Sequence, residues 1–229
     1  DQLGRADFEA AGDKTLARLS STAIAMSKKF LPDGPDQGGL FSKLGARSVV
    51  AATLRAVQLL GRQFVLGQTI ADAMQEAADA QRRTPNLRYS YDMLGEGART
   101  DADAERYVES YAAAIQAVGE NAEGKGPHAS NGISVKLSAL HPRYEARLEE
   151  NVFAELYPRI LRLAEQAKKY DIGLTLDAEE ADRLVLSLKL FERLAYEPSL
   201  NGWEGLGLAI QAYQKRTRAL IERLTMLSR

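Results

Sequence analysis

Four polar residues could carry out chemistry, because each of them follows a short apolar run of the kind that forms a β-strand. They are Asp92, Lys136, Asp177 and Gln211, and they offer two carboxylates, one ammonium and one amide. If the four strands are parallel neighbours, these groups converge on one pocket at the carboxyl ends of the strands. A Lys136–Asp177 pair in such a pocket is suited to Schiff-base or proton-transfer chemistry.

Each of these residues also has a structural alternative that the sequence leaves open. Asp177 lies at the start of a predicted helix and could simply cap it. Asp92 could cap the glycine-containing turn that follows it. Lys136 could face solvent beyond the end of its strand, and Gln211 could be a surface residue at the start of a helix.

The elements that would position these residues alternate between strands and helices after residue 85. Strands are predicted at 87–92, 132–137, 171–177 and 205–211. Amphipathic helices are predicted at 101–118, 149–170 and 179–195, and from about 213 to the end of the chain. This alternation predicts parallel strands joined by right-handed crossovers.

The second predicted strand separates two sets of side chains by its alternation. One face receives the apolar set Ile133, Val135 and Leu137, and the other receives the polar set Ser134, Lys136 and Ser138. An ammonium on the inward face of a small barrel is costly unless an acid pairs with it. Asp92 and Asp177, on the neighbouring strands, are the expected partners.

Two parallel architectures compete, a doubly wound open sheet and a (β/α)8 barrel of the TIM type. The turn at 92–97 lacks the glycine fingerprint of a dinucleotide-binding fold, and the Gly205-Leu206-Gly207 run precedes a strand instead of a helix. The open-sheet interpretation therefore loses its main support. Because a barrel takes about 250 residues, we expect the range 86–229 to form its first four βα units, the second half following Arg229.

The composition excludes several classes of function. The chain has 229 residues, of which 30 are basic and 31 acidic, so no basic surface field for nucleic acid is expected. It has no cysteine, which excludes disulfides and thiolate chemistry. Its two histidines, His128 and His141, predict no metal site, and no apolar run is long enough to span a bilayer.

Residues 1–85 are predicted to form an all-helical arm or linker before the barrel half. Helices are expected at 1–30 and 43–80, separated by a proline- and glycine-rich loop at 31–39 and interrupted by a turn at 61–67. The chain begins with neither a methionine nor a signal peptide, and its last predicted helix has no capping signal. We therefore expect it to be part of a longer protein.

Five segments of the chain form long sequence motifs. They are RQFVLGQTI at 62–70, YSYDMLGE at 89–96, ISVKLSALHPRY at 133–144, DAEEADRL at 177–184 and QAYQKR at 211–216. In this order they closely resemble the proline dehydrogenase domain of bacterial bifunctional proline utilization proteins. The resemblance implies a distorted (β/α)8 barrel that binds FAD at its C-terminal face. It also implies oxidation of L-proline to Δ1-pyrroline-5-carboxylate, with a membrane quinone as the electron acceptor.

The same resemblance implies a role for each candidate residue. Lys136 and Asp177 correspond to the family's catalytic residues, with Lys136 near the substrate carboxylate and the flavin. The residues that correspond to the substrate pocket are Asp92, Met93 and Lys136. The residues that correspond to the flavin site are Asp177, Ala178, Ala209 and Gln211, with Gln211 at the edge of the isoalloxazine.

The resemblance further implies partners and a cellular location. A pyrroline-5-carboxylate (aldehyde) dehydrogenase domain is expected in the same polypeptide, and the full protein is expected to form a homo-oligomer. A cytoplasmic location is expected, with peripheral association at the inner membrane face. The family's paired carboxylate-binding arginines come from the last barrel helix, so we expect these 229 residues alone to be inactive.

Two alternatives to this assignment remain open from the sequence. One is a different (β/α)8 enzyme that uses the Lys136–Asp177 pair. The other is a non-catalytic interaction module built from the helices of residues 1–82.

Overall fold

The computed structural model describes Leu54, Gly61, residues 65–95 and residues 97–227. The predicted helix at 1–30, the loop at 31–39 and most of the turn at 61–67 lie outside these residues. Residues from Gly67 onward form one compact unit, separate from the unit Asp1–Leu66. The predicted division of the chain at 85/86 stays a prediction, and the description below concerns the unit from Gly67.

This unit alternates helices and strands as the sequence predicts. The strands are β1 (Ser90–Asp92), β2 (Gly132–Val135), β3 (Leu174–Leu176) and β4 (Leu206–Leu208). The helices are α1 (Ile70–Arg83), α2 (Asp101–Glu120), α3 (Leu137–Leu140), α4 (Glu149–Lys169), α5 (Leu184–Ala195) and α6 (Thr217–Leu227). Two 3-10 turns lie at Ala146–Leu148 and Pro198–Leu200.

The four strands form one parallel sheet in the order β1-β2-β3-β4. Neighbouring strands therefore follow each other in sequence, and the intervening helices are the crossovers. All four carboxyl ends consequently lie at the same edge of the sheet. This order is the arrangement expected for the first half of a (β/α)8 barrel.

Two long helices begin at capping boxes that can be found in the sequence. Thr69 Oγ1 accepts a hydrogen bond from the Asp72 N–H (3.2 Å), and the Asp72 carboxylate accepts one from the Thr69 N–H in return. Thr100 and Asp103 repeat the arrangement at the start of α2, at 3.1 and 3.0 Å. These reciprocal bonds satisfy backbone donors that would otherwise have no partner in the first turn.

One face of the sheet is covered by α2 and α4 and forms the core. Its fully buried strand residues are Ile133, Val135, Leu174 and Leu176, and the helices contribute Tyr111, Ile115, Leu156, Ile160 and Leu163. Burial of each large aliphatic side chain contributes about 1.5–3 kcal/mol to folding. The other face carries small and polar residues, among them Ser134, Thr175 and Gly207, and Thr175 Oγ1 occupies the space that a Cβ on Gly207 would need.

A close helix contact also fixes the position of α2 against the segment that leads into β3. Gly119 lies in α2 directly beneath the ring of Tyr170, so that a Cβ at this position would overlap the ring. Tyr170 directly follows α4 and is its C-cap. The absence of a side chain at 119 is therefore required by the packing of these two helices.

Several predicted boundaries differ from those observed, and the site accounts for two of the differences. The second strand ends at Val135, and Leu137 begins the short helix α3. The helix predicted from 179 begins at Leu184, because residues 177–183 form a loop whose acidic side chains bind neighbouring loops. The prediction of a strand over 205–211 was too long, since β4 covers Leu206–Leu208.

Candidate functional site

The register of the sheet places the candidate residues on one face at one edge. Asp92 pairs with Ser134, and Ser134 pairs with Thr175, so these three residues form one row across the sheet. Lys136 and Asp177 each lie two residues further along their chains and therefore project on the same side. This is the face opposite the buried apolar core.

The ammonium of Lys136 lies between two carboxylates from the neighbouring strands. Lys136 Nζ is 2.6 Å from both oxygens of Asp92 and 2.9 Å from Asp177 Oδ2. The side chains of Lys136, Asp92 and Asp177 are 24%, 32% and 27% exposed, respectively. The charges are partly withdrawn from solvent, so each interaction is stronger than that of a fully exposed pair.

Asp177 does not cap the following helix, which removes the main structural alternative for this residue. The residue that precedes α5 is Arg183, six positions further on. Asp177 Oδ1 instead accepts a hydrogen bond from the N–H of Ala178 (2.9 Å), while Oδ2 is the atom that pairs with Lys136. The Asp177 N–H donates to Val135 O at 2.9 Å, which extends the β2–β3 pairing beyond the strand ends.

Two residues that the sequence did not single out hold the backbone around Lys136. The buried hydroxyl of Tyr111 accepts a hydrogen bond from the Lys136 N–H at 3.2 Å. Glu179, whose side chain is 7% exposed, accepts one from the Ser138 N–H at 3.0 Å and also pairs with Arg183. In the sequence, Tyr111 is one apolar position of a helix face, and no local signal marks its hydroxyl as an acceptor.

The loops that follow the strands are tied to one another in order. The Ala98 N–H, in the loop after β1, donates to Ser138 O at 3.0 Å. Ser138, after β2, is in turn bound by Glu179 from the loop after β3. Arg216, after β4, donates to Ala181 O in the β3 loop at 2.7 Å. A chain of hydrogen bonds thus connects all four loops at the edge where the charged residues lie.

The end of β4 contributes a separate group of residues. The Ala209 N–H donates to Leu176 O at 2.9 Å and so continues the β3–β4 pairing. Gln211 Oε1 accepts from Tyr213 Oη (3.1 Å) and from Gln214 Nε2 (3.0 Å). Gln211 and Lys136 are not hydrogen-bonded to each other in this structure, so the four predicted residues form a charged triad and a distinct amide position.

A small depression, which has room for about one water molecule, lies between the ends of β3 and β4 and the start of α5. The candidate residues Asp177, Ala178, Ala209 and Gln211 line it together with Glu179, Glu180, Leu184, Ser187, Leu208 and Ile210. Ala178 and Ala209 contribute only methyl groups, and Gln211 supplies an amide. An amide can hydrogen-bond to the carbonyl oxygens and ring nitrogens at the polar edge of a flavin.

Met93 and His141 are both held by contacts within the fold. Met93 is partly buried and packs against the hydrophobic core. His141 is buried, with Nδ1 accepting from the Arg143 N–H (3.0 Å) and Nε2 3.0 Å from Glu155 Oε2. Both of its ring nitrogens are thus occupied by contacts within the protein.

Within residues 67–95 and 97–227, no three histidine or acidic side chains are grouped as metal ligands are. In the same part of the chain, no helix combines the length and the apolar character that a membrane crossing requires.

Comparison with known proteins identifies a single family. The family profile described as Proline dehydrogenase matches residues 73–229. Bifunctional protein PutA of Salmonella typhimurium is 52% identical over 173 residues, which cover 76% of this chain and 13% of that protein. Bifunctional protein PutA of Rhizobium meliloti is 45% identical over 190 residues, covering 83% of this chain and 15% of that protein.

More distant and structural relatives agree with this result. Proline dehydrogenase 1 of Bacillus subtilis is 28% identical over 167 residues, which cover 73% of this chain and 49% of that protein. The crystal structure of a mutant Proline Utilization A of Bradyrhizobium japonicum superposes with a TM-score of 0.67 at 46% identity. The superposed region covers 95% of this chain and 23% of the Bradyrhizobium japonicum chain. The chain thus spans only a small part of the PutA proteins that it matches.

Proposed function

Because the chain belongs to the proline dehydrogenase family, we propose that it forms the first half of a barrel that oxidises L-proline to Δ1-pyrroline-5-carboxylate with FAD. The observation that carries the proposal is the ammonium of Lys136 between Asp92 and Asp177, at 2.6 and 2.9 Å, at the carboxyl ends of parallel strands. Active sites of (β/α)8 enzymes lie at this edge of the sheet.

The triad is suited to a zwitterionic amino acid. Lys136 offers a positive charge to the substrate carboxylate, and the two aspartates hold its side chain in place. Two carboxylates and one ammonium give the triad a net charge of −1, which favours the cationic amine of the same substrate nearby. Met93, next to Asp92, is partly buried against the hydrophobic core, and we assign its remaining surface to the wall of the substrate pocket.

The depression between β3 and β4 is the proposed flavin position. Ala178, Ala209 and Asp177 would border a bound flavin there, and the amide of Gln211 would hydrogen-bond to its polar edge. When bound, the flavin supplies the two-electron oxidation. Lys136 would bind the substrate carboxylate and so hold the carbon to be oxidised toward that position.

The relatives that this chain matches are bifunctional proteins, and the remaining parts of the proposal follow from that similarity. We place the chain in a longer polypeptide that also carries a pyrroline-5-carboxylate dehydrogenase domain, with residues 1–85 as a helical arm and 86–229 as the barrel half. A membrane quinone as electron acceptor, a homo-oligomeric state and a cytoplasmic location with peripheral membrane contact belong to the same proposal.

The test compares the 229-residue chain with the longer polypeptide. Both are purified, loaded with FAD and passed through gel filtration, and the retained flavin absorbance is then followed on addition of L-proline. We expect the longer protein to keep its flavin and to bleach with proline, and the 229-residue chain to do neither. Lys136→Met in the longer protein should raise the proline concentration needed for bleaching at least tenfold.

The comparison includes a control for the competing chemistry. Borohydride added with a carbonyl compound would trap a Schiff base on Lys136, and a flavin-dependent oxidation predicts no such adduct. A covalent adduct on Lys136, or a longer protein that binds no FAD, would overturn the proposal.

A further inference from the structure

The side-chain amide of Gln211 has one defined orientation, although the oxygen and the nitrogen of an amide can usually exchange places at little cost in energy. Gln211 Oε1 accepts two hydrogen bonds, from Tyr213 and from Gln214 Nε2 at 3.0 Å. Among the residues that the structure describes, none accepts a hydrogen bond from Gln211 Nε2. Gln211 also lines the depression at the end of β4, so its nitrogen is the part that remains for a ligand.

This orientation of the Gln211 amide is set by Gln214 and Arg216, three and five residues further along the chain. Gln214 Oε1 accepts from Arg216 Nε at 2.6 Å, and Gln214 Nε2 donates to Gln211. A guanidinium can only donate, whereas an amide can present either end. Arg216 therefore forces the oxygen of Gln214 toward itself, which turns the nitrogen of Gln214 toward Gln211. Tyr213 does not decide the matter, because a hydroxyl both donates and accepts.

Arg216 is itself held in place from another loop. Its Nη2 donates to Ala181 O, in the loop after β3, at 2.7 Å. One side of the guanidinium thus binds the β3 loop, and the other orients Gln214 in the β4 loop. The polarity of the amide is consequently set by a residue whose position depends on both loops.

We infer that Arg216 and Gln214 are positioning residues that fix Gln211 as a hydrogen-bond donor, so that the ligand at this position must present an acceptor. If the proposed function is right, the acceptor is a carbonyl oxygen or an unprotonated ring nitrogen of the flavin. A ligand that presents an N–H at the same place would meet the nitrogen of Gln211 and be disfavoured.

The test uses substitutions that change the direction of the hydrogen bonds while keeping their number. Gln214→Glu retains the bond to Arg216 and becomes an ion pair, but it cannot donate to Gln211. Gln211 must then turn over and present its oxygen to the ligand. In Arg216→Lys the side chain at this position can still only donate a hydrogen bond to Gln214. In Arg216→Gln the new amide can present either its oxygen or its nitrogen, so the orientation of Gln214 is no longer fixed.

The measurements are made on the longer polypeptide that carries the complete barrel. The dissociation constant of FAD is obtained by titration, the visible spectrum of the bound flavin is recorded, and the melting temperature is measured without FAD. Arg218→Gln is the matched control, because Arg218 lies nearby on α6 and pairs only with the exposed Glu222 among the described residues. We expect Gln214→Glu to weaken FAD about tenfold and to shift the flavin spectrum, with the melting temperature unchanged.

The series separates this inference from the proposed function. Arg216→Gln should weaken FAD by a smaller factor, and Arg216→Lys and Arg218→Gln should bind FAD like the unsubstituted protein. Unchanged FAD affinity and spectrum in Gln214→Glu would overturn the inference while leaving the proposed function intact. An unsubstituted protein that binds no FAD would overturn the proposed function. A fall in melting temperature in Gln214→Glu that matches the loss of affinity would assign these residues a structural role only, against the inference.

Discussion

Replacement of Lys136 by methionine tests the charged triad most directly. The substitution keeps the length of the side chain and removes the charge that lies 2.6 Å from Asp92 and 2.9 Å from Asp177. At an effective dielectric constant of about 20, one such pair attracts by about 6 kcal/mol before desolvation is counted. Partial exposure and desolvation offset most of this attraction, but the two carboxylates left behind repel each other.

We therefore expect Lys136→Met to lower the free energy of unfolding by about 2–3 kcal/mol at pH 7. The matched control is Lys189→Met, because Lys189 also binds a carboxylate through both oxygens, those of Glu149 at 2.8 and 2.6 Å. That pair is 47% and 41% exposed and involves one acid instead of two. An exposed pair of this kind contributes about 0–1 kcal/mol.

The assay is urea unfolding of the chain at pH 7, followed by circular dichroism. The double variant Lys136→Met, Asp177→Asn should recover about half of the deficit at pH 7. If Lys136→Met costs no more than Lys189→Met, or if the double variant recovers none of the deficit, the reasoning from the triad is refuted.

Three further predictions concern the scaffold. Gly119→Ala places a Cβ in the ring of Tyr170 and should destabilise the chain by about 1–3 kcal/mol in urea unfolding, whereas helix propensity alone would stabilise it by about 1 kcal/mol. Thr100→Ala removes the capping box with Asp103 and should cost about 1 kcal/mol in the same assay, while Thr100→Ser should be nearly neutral. Burial raises the pKa of Tyr91 to about 12, so the folded chain should lose stability as the pH rises from about 10 to 12. Tyr91→Phe should remove that part of the loss, measured as the difference in melting temperature between pH 9 and pH 11.5; an unchanged difference would contradict the assignment.

The arrangement of the charged triad was predictable because it follows from topology. Once the strands are parallel and adjacent, residues at their carboxyl ends must lie at one edge, and the observed contacts of Lys136 with Asp92 and Asp177 agree with this. The predicted (β/α)8 class is confirmed by the parallel order and by the similarity to solved PutA structures. The functional roles of these residues stay predictions.

Other features depend on tertiary contacts that no local pattern encodes. The sequence predicts a helix from 179, whereas α5 begins five residues later, at Leu184. The reason is that Glu179 binds the Ser138 N–H instead of beginning a helix. The acceptor role of Tyr111 requires knowledge of which backbone N–H lies opposite its hydroxyl. The orientation of Gln211 likewise depends on Arg216, whose role as an obligatory donor becomes informative only when the contacts are known.

The hydrogen bonds that join Ala98, Ser138, Glu179, Ala181 and Arg216 bear on how this fold can diversify. Barrel enzymes commonly acquire new specificities by exchanging one loop at a time on an unchanged scaffold. Here a graft of a single loop would break its bonds to the loops on either side. Functional chimaeras should therefore require neighbouring loops to be exchanged together. Amino-acid substitutions in these loops should likewise be correlated during evolution.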